Sequence, residues 1–414
     1  MEKEKVSQIY GIEKDMVLEK ISNELHLVEK EFKQRSMDVL KDAKFTYIGE
    51  TLFLNSFFPP FPSKAFNRAA FHGWRGEPYM VDFAITDKCN YHCWHCYRVG
   101  RGVEDLPLKV IQKAIKEVQD AGACIIGLTG GEPLLREDLT EIASTIDSRS
   151  TVVLYTTGYG ITLQKAEELK KAGVIMAIIS LDHFEPEIHD KRRGYPGAYK
   201  NAINAIEVFK KVGIYVVVTI IPAGRMTISD NLWKFIEIVG RLGVHEIRIG
   251  NPVPAGRLIG RIGSLNTGQR AGIREIYTKA NRSADYPVIS PFTCIESTEQ
   301  FGCGAGYHYA SVDTDGSVAP CVTMPLSFGN IQDEGFEDIW KRMFNVFKRP
   351  GGVCYMGKIH HEIFNEMQKG AKLPLSCETS IAICKKYPRG VTEPIPKFYK
   401  GLIHAVNIPK ILSP

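Results

Sequence analysis

Three cysteines stand close together in the run TDKCNYHCWHCY, directly after an apolar stretch with the composition of a β-strand. Cys89, Cys93 and Cys96 have the spacing CxxxCxxC. Three thiolates at this spacing can hold three irons of a 4Fe-4S cube and leave the fourth iron without a protein ligand. An iron with a free coordination position can bind a small molecule and act on it. The alternative is structural zinc with His92 or His95 as the fourth ligand, because Cys3His sites are common.

A second motif, GLTGGEPLL, follows the strand-like run CIIGLT. Its core consists of Gly130, Gly131, Glu132 and Pro133. Two glycines remove side chains where the backbone must approach a ligand closely, and a carboxylate at such a turn can meet an ammonium group. A Gly-Gly turn alone is ordinary loop chemistry. Its position some thirty residues after the three cysteines makes it a stronger signal than the turn alone.

Together the two motifs resemble the radical S-adenosylmethionine (SAM) enzymes, whose signature is CxxxCxxC followed by an aromatic residue, here Tyr97. The resemblance implies that the free iron chelates the amino and carboxylate groups of SAM and that GGEP binds the amino group. It further implies that one electron, from a donor such as flavodoxin or ferredoxin, cleaves SAM to a 5′-deoxyadenosyl radical. This radical abstracts hydrogen from a substrate, while the protein supplies position and a dry site.

The middle of the chain alternates β-rich runs with amphipathic helical patterns that mostly end at glycine. Strands are predicted at 79–86, 124–129, 151–157, 174–181, 214–221 and 245–250. Continuous apolar strands between amphipathic helices indicate a buried parallel sheet. We therefore predict an α/β fold in which residues 78–260 form a partial (β/α)6 barrel, the core that the resemblance also implies.

Residues that follow each strand are candidates for the site, because barrel chemistry collects at the carboxyl ends of the strands. The resemblance implies that Ser180 and Arg193, after the fourth strand, contact the ribose or carboxylate of SAM. It also places Asn251, after the sixth strand, near the adenine. The alternative for the fourth loop is a basic surface segment in which Asp182 caps a turn. A Thr-Thr-Gly run replaces the Asn-Gly that many relatives have after the third strand, so the contact there is open.

A second cysteine-rich region follows a helical stretch at 267–282. Cys303 and Cys321 enclose the spacing Cx12Gx4C, with a DG-type hairpin turn between them. This pattern is similar to the first half of the SPASM and Twitch extensions, which implies an auxiliary iron-sulfur cluster. One auxiliary 4Fe-4S cluster is expected, because the compact CxxC of the full SPASM pattern does not follow. The remaining ligand candidates are Cys354, Cys377 and Cys384, with Cys294 as a further option. Cys124, inside the second strand, is interpreted as a structural thiol.

Length and composition set the outline of the molecule. The 414 residues exceed one small core and indicate appended domains. We assign 1–77 to an N-terminal extension with a charged helix at about 13–43, 261–390 to a small α+β iron-sulfur domain, and 391–414 to a tail. A hydrophobic fraction of 44% and a net charge of +5, without an RNA-binding signature, argue against a nucleic-acid partner. The start does not look like a signal peptide, so a cytoplasmic location is expected.

The substrate is the least determined property. A peptide or protein side chain is the leading prediction, because enzymes with SPASM or Twitch extensions are most often peptide maturases. A lipid or isoprenoid is the alternative, favoured by the aromatic segment 45–75 and the apolar, basic tail, which suit peripheral contact with a membrane. The interpretation we favour for both segments is that they complete the core. Small-molecule dehydrogenation is a third candidate, and a corrinoid-dependent methyltransferase is disfavoured because no corrinoid-binding signature is visible.

Overall fold

The N-terminal region forms a small sheet in the computed structural model, which describes residues 6–9, 12–24, 44–48, 50–71, 76–99, 101, 104–261, 265–389 and 393–400. Strands β1 (Val6–Ile9), β2 (Phe45–Ile48) and β3 (Thr51–Phe53) pair antiparallel. Helices α1 (Ile12–Glu24) and α2 (Lys64–Phe71) belong to the same region. The predicted charged helix therefore begins as expected, and its continuation to residue 43 lies outside the described residues.

The main sheet of the described chain has nine strands. They are β4 (Met80–Thr86), β5 (Ile125–Gly130), β6 (Thr151–Thr156), β7 (Val174–Ser180), β8 (Tyr215–Ile220), β9 (Glu246–Ile249), β10 (Val288–Pro291), β11 (Tyr309–Val312) and β12 (Val318–Ala319). Their order is β10-β9-β8-β7-β6-β5-β4-β11-β12, and every neighbouring pair is parallel except β11 with β12. The six predicted strands, β4 to β9, are confirmed to within one residue at each end.

Helices connect the parallel strands and cover the sheet. Between β4 and β9 lie α3 (Leu108–Asp120), α4 (Leu139–Thr145), α5 (Leu163–Lys171), α6 (Pro186–Arg193), α7 (Ala198–Lys211) and α8 (Ser229–Gly240). Beyond β9 lie α9 (Thr267–Ala280), α10 (Phe292–Ile295), α11 (Phe336–Phe347), α12 (Met356–Gln368) and α13 (Cys377–Lys386). Gly173 and Gly213, at φ 98° and 73°, follow α5 and α7 and adopt the left-handed conformation that ends these helices. Apolar side chains such as Ile115, Phe209 and Phe235 are completely buried, which is the main stabilisation of such a sheet.

The C-terminal extension continues the sheet of the barrel. Strand β11 pairs parallel with β4, so that Tyr309 lies beside Met80 and Ser311 beside Asp82. Strands β11 and β12 form the predicted hairpin, and its turn contains Gly316 at φ 87°. Only glycine adopts this conformation without strain. The expected hairpin is thus confirmed, and it forms one edge of the barrel sheet.

Aromatic residues of the N-terminal segment and of the beginning of the tail share one apolar cluster. Phe45, Leu52 and Phe61 pack in it with Phe398 and Tyr399, and all five are buried. In the described residues these five side chains complete the core, as the favoured interpretation expects, whereas Phe57 and Phe58 of the same segment are only half-buried. Residues 401–414 lie outside the described part. Within that part, no helix combines the length and the apolar character needed to cross a bilayer.

Buried ion pairs hold the hairpin turn against the loop that follows the first cysteine motif. Arg98 Nη2 and Arg101 Nη1 each lie 2.7 Å from a carboxylate oxygen of Asp313, and the three side chains are almost completely buried. Arg98 also donates to Thr314 Oγ1 at 3.0 Å. Burial by itself raises the pKa of Asp313, but the two guanidinium groups outweigh burial and lower it to about 2. The extension is therefore docked by charge as well as by the sheet.

We predict that Asp313→Asn lowers the free energy of unfolding by about 3 kcal/mol, because two buried guanidinium groups lose their shared carboxylate. A carboxylate with a depressed pKa stabilises the fold above its unfolded-state pKa of about 3.9 and loses this contribution as the pH falls through its folded-state value. Denaturant titrations of wild type and variant should therefore converge as the pH falls from about 4 toward about 2. The control is Asp120→Asn in the exposed pair with Arg149, where less than about 1 kcal/mol is expected. Equal effects of the two substitutions would contradict docking by Asp313.

Candidate functional site

One cavity at the carboxyl ends of the parallel strands collects most of the predicted site residues. Its volume is about 660 Å³, within the range of small-molecule sites. Cys89, Cys93 and Cys96, the SAM-cluster cysteines, line it. Residues from later strand ends join them: Gly130, Gly131, Thr156, Thr157, Ser180, Arg193 and Asn251. Glu132 and Pro133 are buried but do not line the cavity.

The carboxylate of Glu132 organises the strand ends beneath the cavity. Its Oε1 accepts from Thr156 Oγ1 at 2.6 Å and from Leu134 N at 3.0 Å. Its Oε2 accepts from the backbone N and the Oγ1 of Thr157 at 2.7 and 2.5 Å. Burial raises the pKa of Glu132, and these four donors oppose that shift. Thr156 and Thr157, which stand where many relatives have Asn-Gly, are therefore hydrogen-bonded to Glu132. A contact between Glu132 and SAM stays a prediction.

The glycines of the GGEP motif bring two loops together. Gly131 N donates to Thr86 O at 2.7 Å, and Glu132 N donates to Lys88 O at 2.8 Å. A Cβ on Gly130 would collide with Thr86 O, and one on Gly131 with Lys88 O. The close approach that requires these glycines is therefore between two protein backbones, next to the cysteine loop.

A buried carboxylate links the fourth strand end to the cysteines. Asp182 is completely buried, and its Oδ2 lies 2.9 Å from Arg193 Nε and 3.3 Å from His95 Nε2. Burial acts to raise the pKa of Asp182, but Arg193 and His95 outweigh it and hold the pKa well below its usual range. Arg193 Nη1 in turn lies 3.8 Å from Cys93 Sγ. The basic segment, which forms the last turn of α6, therefore reaches the cavity rather than the surface through Arg193, and Asp182 holds Arg193 in place.

The loop after β9 closes over the cysteine loop. Arg257 N donates to Cys96 O at 3.0 Å, and a Cβ on Gly256 would collide with the backbone there. Asn251 lines the cavity, and within the described residues its buried Oδ1 has no hydrogen-bond partner. An unsatisfied buried acceptor costs roughly 1–3 kcal/mol. Asn251 is thus suited to accept a ligand N–H, which fits the predicted contact with adenine.

The same cavity is lined by a second set of thiols, Cys303, Cys321 and Cys354, which we call the auxiliary cysteines. Paired backbone hydrogen bonds of 2.7 and 2.9 Å between Cys303 and Gly351 bring the segment before Cys354 beside the hairpin. Arg389 Nη2 donates to Cys303 Sγ at 3.5 Å. Burial, followed by the charge of Cys303, raises the pKa of Cys354. Thiols in such surroundings become thiolates when a metal binds, so this donor set fits a cluster.

The other candidate cysteines lie elsewhere. Cys377 begins α13, and Cys384 is buried further along the same helix, where its carbonyl accepts from Tyr355 OH at 3.2 Å. Neither of them lines the cavity, and the same holds for Cys294. Cys124 is completely buried in the core, which agrees with the structural role expected for it.

Neither set of cysteines is arranged around a single metal ion. Among the described residues, no three Cys, His, Asp or Glu side chains are close enough together to bind one ion. His95 faces Asp182, as described above, so it is not free to complete a zinc site. A 4Fe-4S cube distributes its thiolates over separate irons. Each set offers three thiols, the number that a 4Fe-4S cube with one iron free of protein ligands requires.

Sequence reasoning missed the charged groups at the bottom of the cavity. Asp82 and Arg248 line it from β4 and β9, and Glu296 does so directly after α10. Asp82 interrupts the otherwise apolar strand MVDFAIT, and a charge inside a strand that is buried on both faces is the signal that could have revealed it. Glu296 has no such signal, because it caps a four-residue helix, where a charged residue is ordinary.

Comparisons with known proteins agree with this geometry. The radical SAM superfamily matches residues 83–239, and the iron-sulfur cluster-binding SPASM domain matches residues 303–366. An AdoMet-dependent heme synthase of Oleidesulfovibrio alaskensis is 27% identical over 346 residues, which cover 75% of this chain and 88% of that protein. The antilisterial bacteriocin subtilosin biosynthesis protein AlbA of Bacillus subtilis is 25% identical over 274 residues, covering 64% of this chain and 59% of AlbA.

A solved structure shows the same fold. SuiB of Streptococcus suis, bound to its precursor peptide SuiA, is similar with a TM-score of 0.55 at 14% identity, and the match covers 67% of each chain. The matched families bind SAM on a 4Fe-4S cluster and carry auxiliary iron-sulfur clusters. The chain therefore carries a radical SAM domain at residues 83–239 and an iron-sulfur cluster-binding SPASM domain at residues 303–366.

Proposed function

We propose that this chain is a radical SAM enzyme that cleaves SAM in the cavity and abstracts hydrogen from a substrate held in the same cavity. The supporting observation is that the SAM-cluster cysteines and the auxiliary cysteines line one continuous space. When bound, the SAM cluster supplies the electron that cleaves SAM to the 5′-deoxyadenosyl radical. A single cavity keeps this reactive species out of water and next to its target.

The residues around the SAM-cluster cysteines have separate tasks in this proposal. Arg193 stabilises the thiolate of Cys93, and Asp182 keeps Arg193 in place. Asn251 offers its unpaired Oδ1 to the adenine amino group. Glu132 holds the strand ends in position, while Ser180 and the backbone at Gly130 and Gly131 line the space for the amino-carboxylate of SAM. In this proposal, these residues together form the binding site for SAM.

The auxiliary cysteines, in our proposal, hold a single 4Fe-4S cluster. Cys303, Cys321 and Cys354 face the cavity, whereas Cys377 and Cys384 belong to a helix that does not reach it. A cluster at this position is close enough to the substrate space to accept an electron from a substrate radical or to bind the substrate itself. Three protein thiolates leave its fourth iron without a cysteine ligand.

For the substrate we propose a peptide or protein side chain. AlbA takes part in the biosynthesis of subtilosin, and SuiB was solved with a precursor peptide. The cavity of about 660 Å³ has to hold SAM as well, which leaves room for a side chain rather than for a large rigid molecule. A peptide that inserts one side chain and leaves its backbone at the entrance meets this limit.

A tetrapyrrole is the second candidate, because the match to the heme synthase covers most of both chains. Haem-type tetrapyrroles are large macrocycles that carry carboxylate side chains. The bottom of the cavity presents the carboxyl groups of Asp82 and Glu296, and the charge of Arg248 beside them is offset by Glu246 through Ser56, which disfavours such a substrate. Anaerobic incubation with Fe-coproporphyrin III, SAM and a reductant tests it, and we expect no conversion. Conversion would replace the peptide proposal.

We predict that alanine at Cys89, Cys93 or Cys96 abolishes SAM cleavage, because the cube is then incompletely held. The measurement is 5′-deoxyadenosine released by anaerobically reconstituted protein that receives SAM and dithionite, with iron and sulfide counted on the same sample. Cys377→Ala is the control and should cleave SAM like the wild type. Fewer than about four irons per wild-type chain would exclude the cluster.

We also predict that Cys354→Ala lowers the iron content from about eight to about four per chain, since the auxiliary cluster loses a ligand. Cys377→Ala and Cys384→Ala should keep the full iron content, because these residues do not reach the cavity. SAM cleavage without substrate should persist in Cys354→Ala. Loss of iron in Cys377→Ala or Cys384→Ala, with full iron in Cys354→Ala, would overturn the ligand assignment.

A further inference from the structure

Three charged residues at the bottom of the cavity are not used by the proposed handling of SAM. They are Asp82, Arg248 and Glu296, which we call the polar floor. Aromatic rings surround them, from the N-terminal segment, from the barrel and from the extension. Phe57 and Phe58, Tyr155, and Phe292, Phe301 and Tyr309 line the same space. The three charged side chains differ in the hydrogen bonds and opposite charges that the protein offers them.

The protein itself neutralises Arg248. Its Nη2 donates to Ser56 Oγ at 2.6 Å and to Ser56 O at 3.3 Å, and its guanidinium carbon lies 4.2 Å from the centroid of the Phe57 ring. Ser56 also donates to the carboxylate of Glu246, from Oγ at 2.5 Å and from N at 2.7 Å. Glu246 is completely buried and lies on the same face of β9, two residues before Arg248. Through Ser56 this carboxylate offsets the charge of Arg248.

Asp82 keeps an acceptor without a partner. The residue is 4% exposed, and its Oδ2 accepts from Tyr309 OH at 2.5 Å. Its Oδ1 is buried and has no hydrogen-bond partner among the described residues. A Cβ at Gly127 would collide with this oxygen, so the glycine makes room for the carboxylate inside the barrel. Burial raises the pKa of Asp82 to about 6, although Tyr309 and Arg248 act against this shift.

Glu296 is a second carboxyl group without a partner in the described residues. Burial raises its pKa to about 7, and Arg248 is the group that opposes this shift. Glu296 also lies near enough to the auxiliary cysteines to raise the pKa of Cys321 and of Cys354. Arg248 is thus the one cation of the polar floor, it acts on Asp82 and Glu296 only through its charge, and it is shared with Glu246. The polar floor therefore carries more negative than positive charge.

We propose that the polar floor binds a cationic nitrogen group of the substrate, a primary ammonium or a guanidinium, between Asp82 and Glu296. Buried carboxylates are stable when they are paired and hydrogen-bonded, and such a group supplies both the charge and the N–H donors. The aromatic walls suit the alkyl stem and attract the cation through their ring faces. This inference rests on the proposed function, because it takes the cavity as the substrate compartment. It narrows the substrate to one that inserts a basic side chain.

Equilibrium dialysis of the anaerobically reconstituted enzyme, saturated with SAM, tests the proposal. The probes are radiolabelled n-butylamine, butyramide and butyrate, which share a four-carbon chain and differ in the charge of the head group. We expect n-butylammonium to bind at least tenfold more tightly than butyramide and butyrate not to be retained. Asp82→Asn and Glu296→Gln should each weaken the binding of n-butylammonium at least fivefold. Glu299→Gln, at an exposed carboxylate that pairs with Lys397, is the matched control and should change nothing.

The proposal is overturned if n-butylammonium is not retained, if butyramide or butyrate binds as tightly, or if both variants bind like the wild type. The iron content per chain shows whether each variant is folded. If Asp82→Asn does not reach the iron content of the wild type, the binding measured with Glu296→Gln alone tests the proposal. The release of 5′-deoxyadenosine separates the two proposals. Binding of n-butylammonium without SAM cleavage refutes the proposed function, whereas SAM cleavage without binding refutes the polar floor.

Discussion

Parallel pairing between β4 and β11 is the interaction on which the site depends. Strand β4 leads directly into the SAM-cluster cysteines, and β11 lies between Cys303 and Cys321. Because adjacent parallel strands end at the same edge of a sheet, their pairing brings both sets of cysteines to one cavity. The ion pairs of Arg98 and Arg101 with Asp313 reinforce this arrangement from the loops. Without it, the auxiliary cysteines would have no fixed distance to the SAM-cluster cysteines.

Buried carboxylates position the remaining parts of the site, and each acts on a different element. Glu132 holds the end of β6, Asp182 holds Arg193 beside Cys93, and Glu246 holds Arg248 through Ser56. Each is completely buried, and each has donors within the protein. Asp82 and Glu296 differ from them, because they face the cavity and neither is hydrogen-bonded to a positively charged side chain of the described residues. This difference from Glu132, Asp182 and Glu246 marks Asp82 and Glu296 as groups for a ligand.

The N-terminal segment has a role that its composition did not indicate. Its aromatic residues are core residues, and Ser56 and Phe57 reach the bottom of the barrel, where they fix Arg248. Through Phe57 and Phe58 the segment also lines the cavity. Burial in the core explains the aromatic side chains of the apolar cluster, whereas Phe57 and Phe58 face the cavity.

The sequence by itself determined what is local. Six strands could be predicted because continuous apolar runs have to be buried, and the hairpin because Gly316 supplies a left-handed turn. The SAM-cluster cysteines form their motif within a few residues of chain, so their chemistry was readable from spacing alone. Only the tertiary structure decided that Cys354 joins Cys303 and Cys321 while Cys377 and Cys384 do not, and that Asp82, Arg248 and Glu296 share one floor. These groups belong to elements that are distant in the sequence. The packing of strands and loops brings them together, and the spacing of residues along the chain does not reveal such packing.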